Sequence, residues 1–88
     1  GKNDEALVEY VTALDMARGS SLESIARGSL VRIYEKLGKY AEAMEHVNWF
    51  LTGNITQPGR ERYTEIRNRL LKQIGESSAK DSAKNANE

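Results

Sequence analysis

The chain contains no cysteine and only one proline, one histidine and one tryptophan. Without cysteine there is no disulfide, no thiolate metal site and no cysteine nucleophile, and a cytoplasmic setting is expected. The single histidine, His46, has neither a cysteine nor a second histidine to join it. It therefore builds no ordinary zinc site or histidine-based catalytic set and is expected to be a surface residue. Charge of one sign is also missing: 13 basic residues balance 13 acidic ones, so no overall field draws the chain to nucleic acid or to an anionic membrane. No apolar run approaches the roughly 20 residues that cross a bilayer, and no signal-peptide pattern opens the chain, so no membrane insertion is expected. The Gly1-Lys2 and Gly38-Lys39 steps lack the glycine-rich run of a phosphate loop. Glu42 and Glu45 read as a solvated face rather than a paired acid and base in a cleft. These absences leave no catalytic constellation and no cofactor or metal site, and the chain is read as a binding protein rather than an enzyme.

What is present is a short, polar, helix-forming sequence. Its 88 residues suffice for at most one small domain or a piece of a larger array, with 39% hydrophobic and 30% charged residues. Residues 76–88 hold no large apolar side chain and read as a disordered polar tail that cannot offset its ordering entropy. The folding unit is then residues 1–75.

Four segments show helical periodicity, and none alternates with period two over a useful length. The first carries Ala6, Leu7, Tyr10, Ala13, Leu14 and Ala17 on one stripe, with Asn3 or Asp4 to cap it and Gly19 to stop it. In the second, Ser20 and Glu23 form a capping box, the stripe runs Leu22, Ile25, Ala26, Leu30, Ile33, Tyr34, Leu37, and Gly38 ends it. Gly28 inside it costs about 1 kcal/mol relative to alanine, which points to close packing or to a tolerated defect. The third carries Tyr40, Ala43, Met44, Val47, Phe50 and Leu51; the fourth, entered through Pro58 in its first turn, carries Tyr63, Ile66, Leu70, Leu71 and Ile74 and stops at Gly75. The expected architecture is all-α, with antiparallel helices over about 3–18, 21–37, 40–52 and 58–74.

An internal period organises these helices. Gly1, Gly38 and Gly75 are 37 residues apart, and Gly1-Lys2-Asn3-Asp4-Glu5-Ala6-Leu7 returns as Gly38-Lys39-Tyr40-Ala41-Glu42-Ala43-Met44. At the same offset Leu14 matches Leu51, Ile33 matches Leu70 and Tyr34 matches Leu71, while Leu30 to Arg67 breaks the pattern. Such a period signifies stacked helix pairs, each too small to bury its apolar face alone.

At this point the residues resemble the tetratricopeptide repeat, best over Leu30 to Met44. The resemblance rests on Leu30 and Tyr34 in one helix, Gly38 and Tyr40 at the turn, and Ala43 at the close contact of the next helix. Residues 1–17 look like the second helix of a preceding repeat, so one full repeat is flanked by two half repeats. Val31 stands where the family usually has a small residue, Pro58 comes late for a repeat-closing proline, and 37 exceeds the common period of 34. The resemblance implies an α-solenoid fragment that serves as a protein-binding scaffold or adaptor. It also implies a concave groove lined by the second and fourth helices. Carried over, the groove positions are Ile25, Gly28, Ser29, Arg32, Glu35 and Lys36, then Arg62, Glu65, Ile66, Arg69, Lys72 and Gln73. Ser29 holds the position at which some members use an asparagine to clamp a terminal carboxylate, so that clamp is not carried over.

The charged groove members are five basic and two acidic, which suits an acidic protein or peptide partner held by Arg32 and Arg69. The competing reading is a solvated helix face in which Glu65 and Arg69 form an i,i+4 pair. Trp49, beside the third stripe, is either an interface anchor or packed against its own fold. Candidate partner-binding residues are thus Ser29, Arg32, Lys36, Arg62, Arg69, Lys72 and Trp49. Two other functions stay open: self-association into a homo-oligomer through open helical ends, and nucleic-acid binding by Arg60, Arg62, Arg67, Arg69 and Lys72. The last is disfavoured by Glu61, Glu65 and the zero net charge.

Overall fold

Hydrophobic stripes three and four residues apart build four helices: α1 (Lys2–Ala17), α2 (Glu23–Lys36), α3 (Tyr40–Thr52) and α4 (Gln57–Ala86). The structure is a computed structural model that describes the backbone of residues 2–86 and the side chains of residues 2–76. Among the described residues there is no strand, and packing follows chain order, α1 on α2, α2 on α3 and α3 on α4. The fold is all-α, with the helix-turn-helix packing of a helical-repeat fragment.

The turns explain where the helices stop. Gly38 has φ of +74° and Gly19 of +80°, a left-handed conformation that costs other L-residues about 1–2 kcal/mol. After α2 the Lys39 N–H reaches the Tyr34 carbonyl at 2.8 Å and the Gly38 N–H reaches that of Glu35 at 3.1 Å. That pair of bonds is a Schellman ending. Before α4, Thr56 Oγ1 accepts the Gly59 N–H at 3.3 Å, and Pro58 occupies the first turn, where no N–H is missed. Arg60 closes the preceding helix by donating to the carbonyls of Leu51 at 3.0 Å and Gly53 at 3.4 Å.

Two expected boundaries are corrected. The Ser20–Glu23 box is displaced, because α2 begins only at Glu23 and Leu22, its N-cap, has no side-chain cap. Ser20 Oγ instead accepts the Leu22 N–H, and Glu23 Oε1 reaches back to the Gly19 N–H at 3.0 Å. Gly75, expected to stop the fourth helix and open a tail at Glu76, lies within α4, which runs to Ala86. Gly75 has no positive φ, so it does not repeat the role of Gly38. Gly1, the third member of that series, and residues 87–88 of the expected tail lie outside the described residues.

The core has two parts. Leu14, Ala26 and Leu30 close the α1–α2 interface with Leu7 and Tyr10 against them. Val31, Ala43, Val47 and Leu70 close α2, α3 and α4, with Tyr40, Met44, Tyr63 and Ile66 packed around them. Tyr34 packs against both parts. Ala43 is fully buried, as the small position of a close helix contact requires, and Val31 is buried despite its size. Four stripe members are exposed: Ala13, Leu22 at 60%, Ile25 at 66% and Leu71 at 49%. Leu22 precedes α2, whereas Ile25 and Leu71 sit on faces no described element covers. Val8 and Val11 of α1 are exposed as well.

Candidate binding groove

Because α3 lies between α2 and α4, those two helices stand apart above it and leave a groove of about 450 Å³. Val31, Tyr63 and Ile66 extend from the core into the groove lining. From α2 come Ile25, Gly28, Ser29, Arg32 and Glu35; from α4 come Arg62, Glu65 and Arg69. All these positions but Val31 and Tyr63 were among those expected for the groove.

The charges are not equivalent. Arg69 is bonded to Glu35 through two parallel hydrogen bonds, Nε to Oε2 at 2.7 Å and Nη2 to Oε1 at 2.8 Å. That hydrogen bonding raises the already high Arg69 pKa and ties the two groove walls together. The i,i+4 partner expected for Arg69, Glu65, is not the one it takes. Arg32 and Arg62 have no hydrogen-bond or ion-pair partner among the described residues, so they are the two cations left to meet a ligand.

Tyr63 lines the same groove. Its ring stacks on Phe50 at 4.0 Å with planes 7° apart, which fixes the direction of the hydroxyl. The hydroxyl lies over Gly28, where an added Cβ would come within 3.4 Å of it. The expectation of a close approach at Gly28 thus has a specific neighbour. Burial raises the Tyr63 pKa, while the positive charges of Arg62 and Arg32 pull it back, which places both guanidinium groups within electrostatic reach of the phenol. The hydroxyl is therefore protonated at neutral pH and able to donate.

The groove brings together Ser29, Arg32, Arg62 and Arg69 but not the remaining candidates. Lys36 lines an adjoining recess of about 230 Å³ with Tyr10, Ser29, Arg32 and Ile33. Lys72 is exposed outside both. Gln73 turns inward, its Oε1 buried with no hydrogen-bond partner among the described residues. Trp49 belongs to the far side of α2: the Arg27 guanidinium covers its ring at 4.5 Å, and Phe50 meets it edge-on at 5.0 Å. Trp49 makes these contacts within its own fold and still leaves 36% of its surface exposed.

Arg27 also organises His46, whose expectation as a surface residue is corrected. His46 is half-buried, stacked on Tyr34 at 5.8 Å with planes 9° apart, and its Nδ1 lies 3.2 Å from Arg27 Nη1. A guanidinium only donates, so Nδ1 accepts and the neutral ring carries its proton on Nε2. Burial first, and the Arg27 charge second, lower the His46 pKa from its ordinary 6.5. Arg27 is held on its other side by Glu23 at 2.9 Å. The Gly19 N–H and Arg27 keep that carboxyl below its usual range. Sequence analysis assigned Arg27 no role, and its hold on two aromatic rings of α3 has no local signal.

Among the described residues no group of histidine, cysteine or carboxylate side chains could hold a metal ion, and no helix is long and apolar enough to cross a membrane. Comparison with models of known protein families gives no match, and no similar curated protein or solved structure is found.

Proposed function

We propose that this chain is a tetratricopeptide-type repeat module that binds a partner protein noncovalently, through an acidic segment seated between α2 and α4, and that it has no enzymatic role. The observation that carries the reading is the pair of unpartnered guanidinium groups, Arg32 and Arg62, in a groove whose third arginine is already bonded to Glu35. The Tyr63 hydroxyl beside Gly28 adds a donor, and Ile25 and Ile66 offer apolar contact in the same lining. Such a lining suits an extended peptide with a carboxylate next to an aliphatic or aromatic side chain.

Nucleic-acid binding is less well supported. Of the five residues Arg60, Arg62, Arg67, Arg69 and Lys72, Arg60 closes α3 and Arg69 is held by Glu35, which removes two charges from any phosphate-tracking surface.

The reading is tested by selecting short peptides from a random library against the wild-type chain and against an Arg32→Glu, Arg62→Glu variant. Wild type should enrich sequences bearing Asp or Glu beside an apolar residue. The variant should bind the same peptides at least about tenfold more weakly, the loss of one charge-assisted contact. Recovery of the same peptides by both proteins, or of peptides without acidic residues, would remove the groove as the binding face.

A further inference from the structure

The internal period supplies a template for contact between copies, independent of the groove. At an offset of 37 residues α1 corresponds to α3 and α2 corresponds to α4. The face that α3 lays on α2 therefore has a counterpart on α1, and the face that α2 offers to α3 has one on α4. Among the described residues no second helix is docked on either counterpart, since α1 meets α2 and α4 meets α3; on α1 Glu9 is exposed and Tyr10 is only partly covered by the α1–α2 core.

We infer that the chain self-associates head to tail, α1 of one copy docking on the outer face of α4 of the next as α3 docks on α2 within a copy. The α2–α3 contacts translate directly. Tyr34 stacked on His46 becomes Leu71 against Glu9. Arg27 donating towards His46 becomes Thr64 facing Glu9, a hydroxyl donor meeting a carboxylate acceptor. Val31 on Ala43 and Val47 becomes Asn68 on Ala6 and Tyr10. Leu71, 49% exposed although it lies in the apolar stripe of α4, acquires a cover in this arrangement.

Charge selects the pairing. Asp4, Glu5, Glu9 and Asp15 against Lys2 leave α1 with a net charge of −3. Five basic residues against Glu61, Glu65 and Glu76 give α4 a net +2 over residues 57–76. An α1–α4 contact is attractive, whereas α1–α1 and α4–α4 contacts set like charges together. The translated interface is also more polar than its template, Asn68 replacing Val31 and Glu9 replacing His46. It therefore suits reversible association rather than a permanent oligomer. Because the two surfaces differ, the contact is heterologous and each copy keeps one end of each kind.

The test is sedimentation equilibrium from micromolar to millimolar protein, with Leu71→Glu and Glu9→Arg as end variants. Both positions are exposed, and far-ultraviolet circular dichroism confirms that each variant folds. Wild type should gain mass with concentration beyond a dimer, less so in high salt. Each variant alone should associate at least about tenfold more weakly, having lost one of its two ends. A third variant carrying both changes brings opposite charges together across the same contact and should associate more tightly than either single variant; association no tighter than the weaker single variant overturns the Leu71–Glu9 apposition. A monomeric wild type across this range overturns the inference. So does an α1-end variant that dimerises as well as wild type, because that is the behaviour of a symmetric α4–α4 contact.

Discussion

Arg69 and Glu35, 34 positions apart, meet across the groove in a two-point guanidinium–carboxylate contact with bonds of 2.7 and 2.8 Å. The contact joins α2 to α4 directly, although α3 lies between them in the chain. Glu35 is mostly covered while Arg69 is half exposed, so solvent screens the pair and its contribution is modest. Replacing Arg69 by Ala should lower stability by about 0.5–1 kcal/mol. A double-mutant cycle with Glu35→Ala, read by urea denaturation, should return a coupling of similar size that shrinks in salt. A coupling indistinguishable from zero would show that the pair shapes the groove without stabilising it.

His46 makes stability depend on pH in a stated direction. Its pKa is lower folded than the ordinary 6.5 of the unfolded chain, so below that value the unfolded state binds more protons. The stabilising contribution of the neutral ring is full above about pH 6.5 and is lost as pH falls through the folded pKa. Melting temperature should drop on acidification, and drop less in His46→Gln, which keeps an acceptor for Arg27. An equal drop in both proteins would assign the acid sensitivity to other groups.

The two corresponding glycines should answer oppositely to alanine. Gly38→Ala places a Cβ at φ of +74° and should cost about 1 kcal/mol or somewhat more. Gly75→Ala lies within α4, where an added Cβ meets nothing within 4 Å; it should gain up to about 1 kcal/mol. Thermal denaturation of the pair decides this. A destabilising Gly75→Ala would mean that the helix ends there in solution.

Ala43 is fully buried at the contact of α3 with α2 and α4. Ala43→Leu should destabilise by about 1–3 kcal/mol through overpacking. The equivalent Ala6→Leu, half-buried on α1, should cost clearly less, as chemical denaturation of the two variants would show. Comparable losses at both positions would mean that α1 is as tightly covered as α3.

Most of the helices were legible in the sequence because they follow from local rules, whereas the groove positions came from the family resemblance. Stripes at three- and four-residue spacing, a glycine at the α2 exit and a proline at the α4 entry located the helices to within a few residues. The same rules misplaced the end of α4. A glycine at φ of +74° and one in a helix interior are the same letter, and about 1 kcal/mol separates the choice. Ile25 and Leu71 kept the stripe spacing but lie beyond the edge of their neighbours, which periodicity does not report. The groove arginines were carried over from the family resemblance and the 37-residue offset, and the pairing of Arg69 with Glu35 rather than Glu65 is tertiary and left no local trace. The same holds for the Arg27–His46–Trp49 cluster: each residue is unremarkable in its own helix, and only the docking of α3 on α2 makes them neighbours.

Tyr34 is the side chain common to both parts of the core. In a structure whose helices touch in chain order, cooperativity is transmitted from one interface to the next. The ring of Tyr34 is the point of transmission: it rests on the α1–α2 cluster while stacking on His46 of α3. Fraying of α1 therefore removes support from the same ring that orders the aromatic and charged side chains of α3. The protein melts as one body rather than two to the extent that this single residue stays seated.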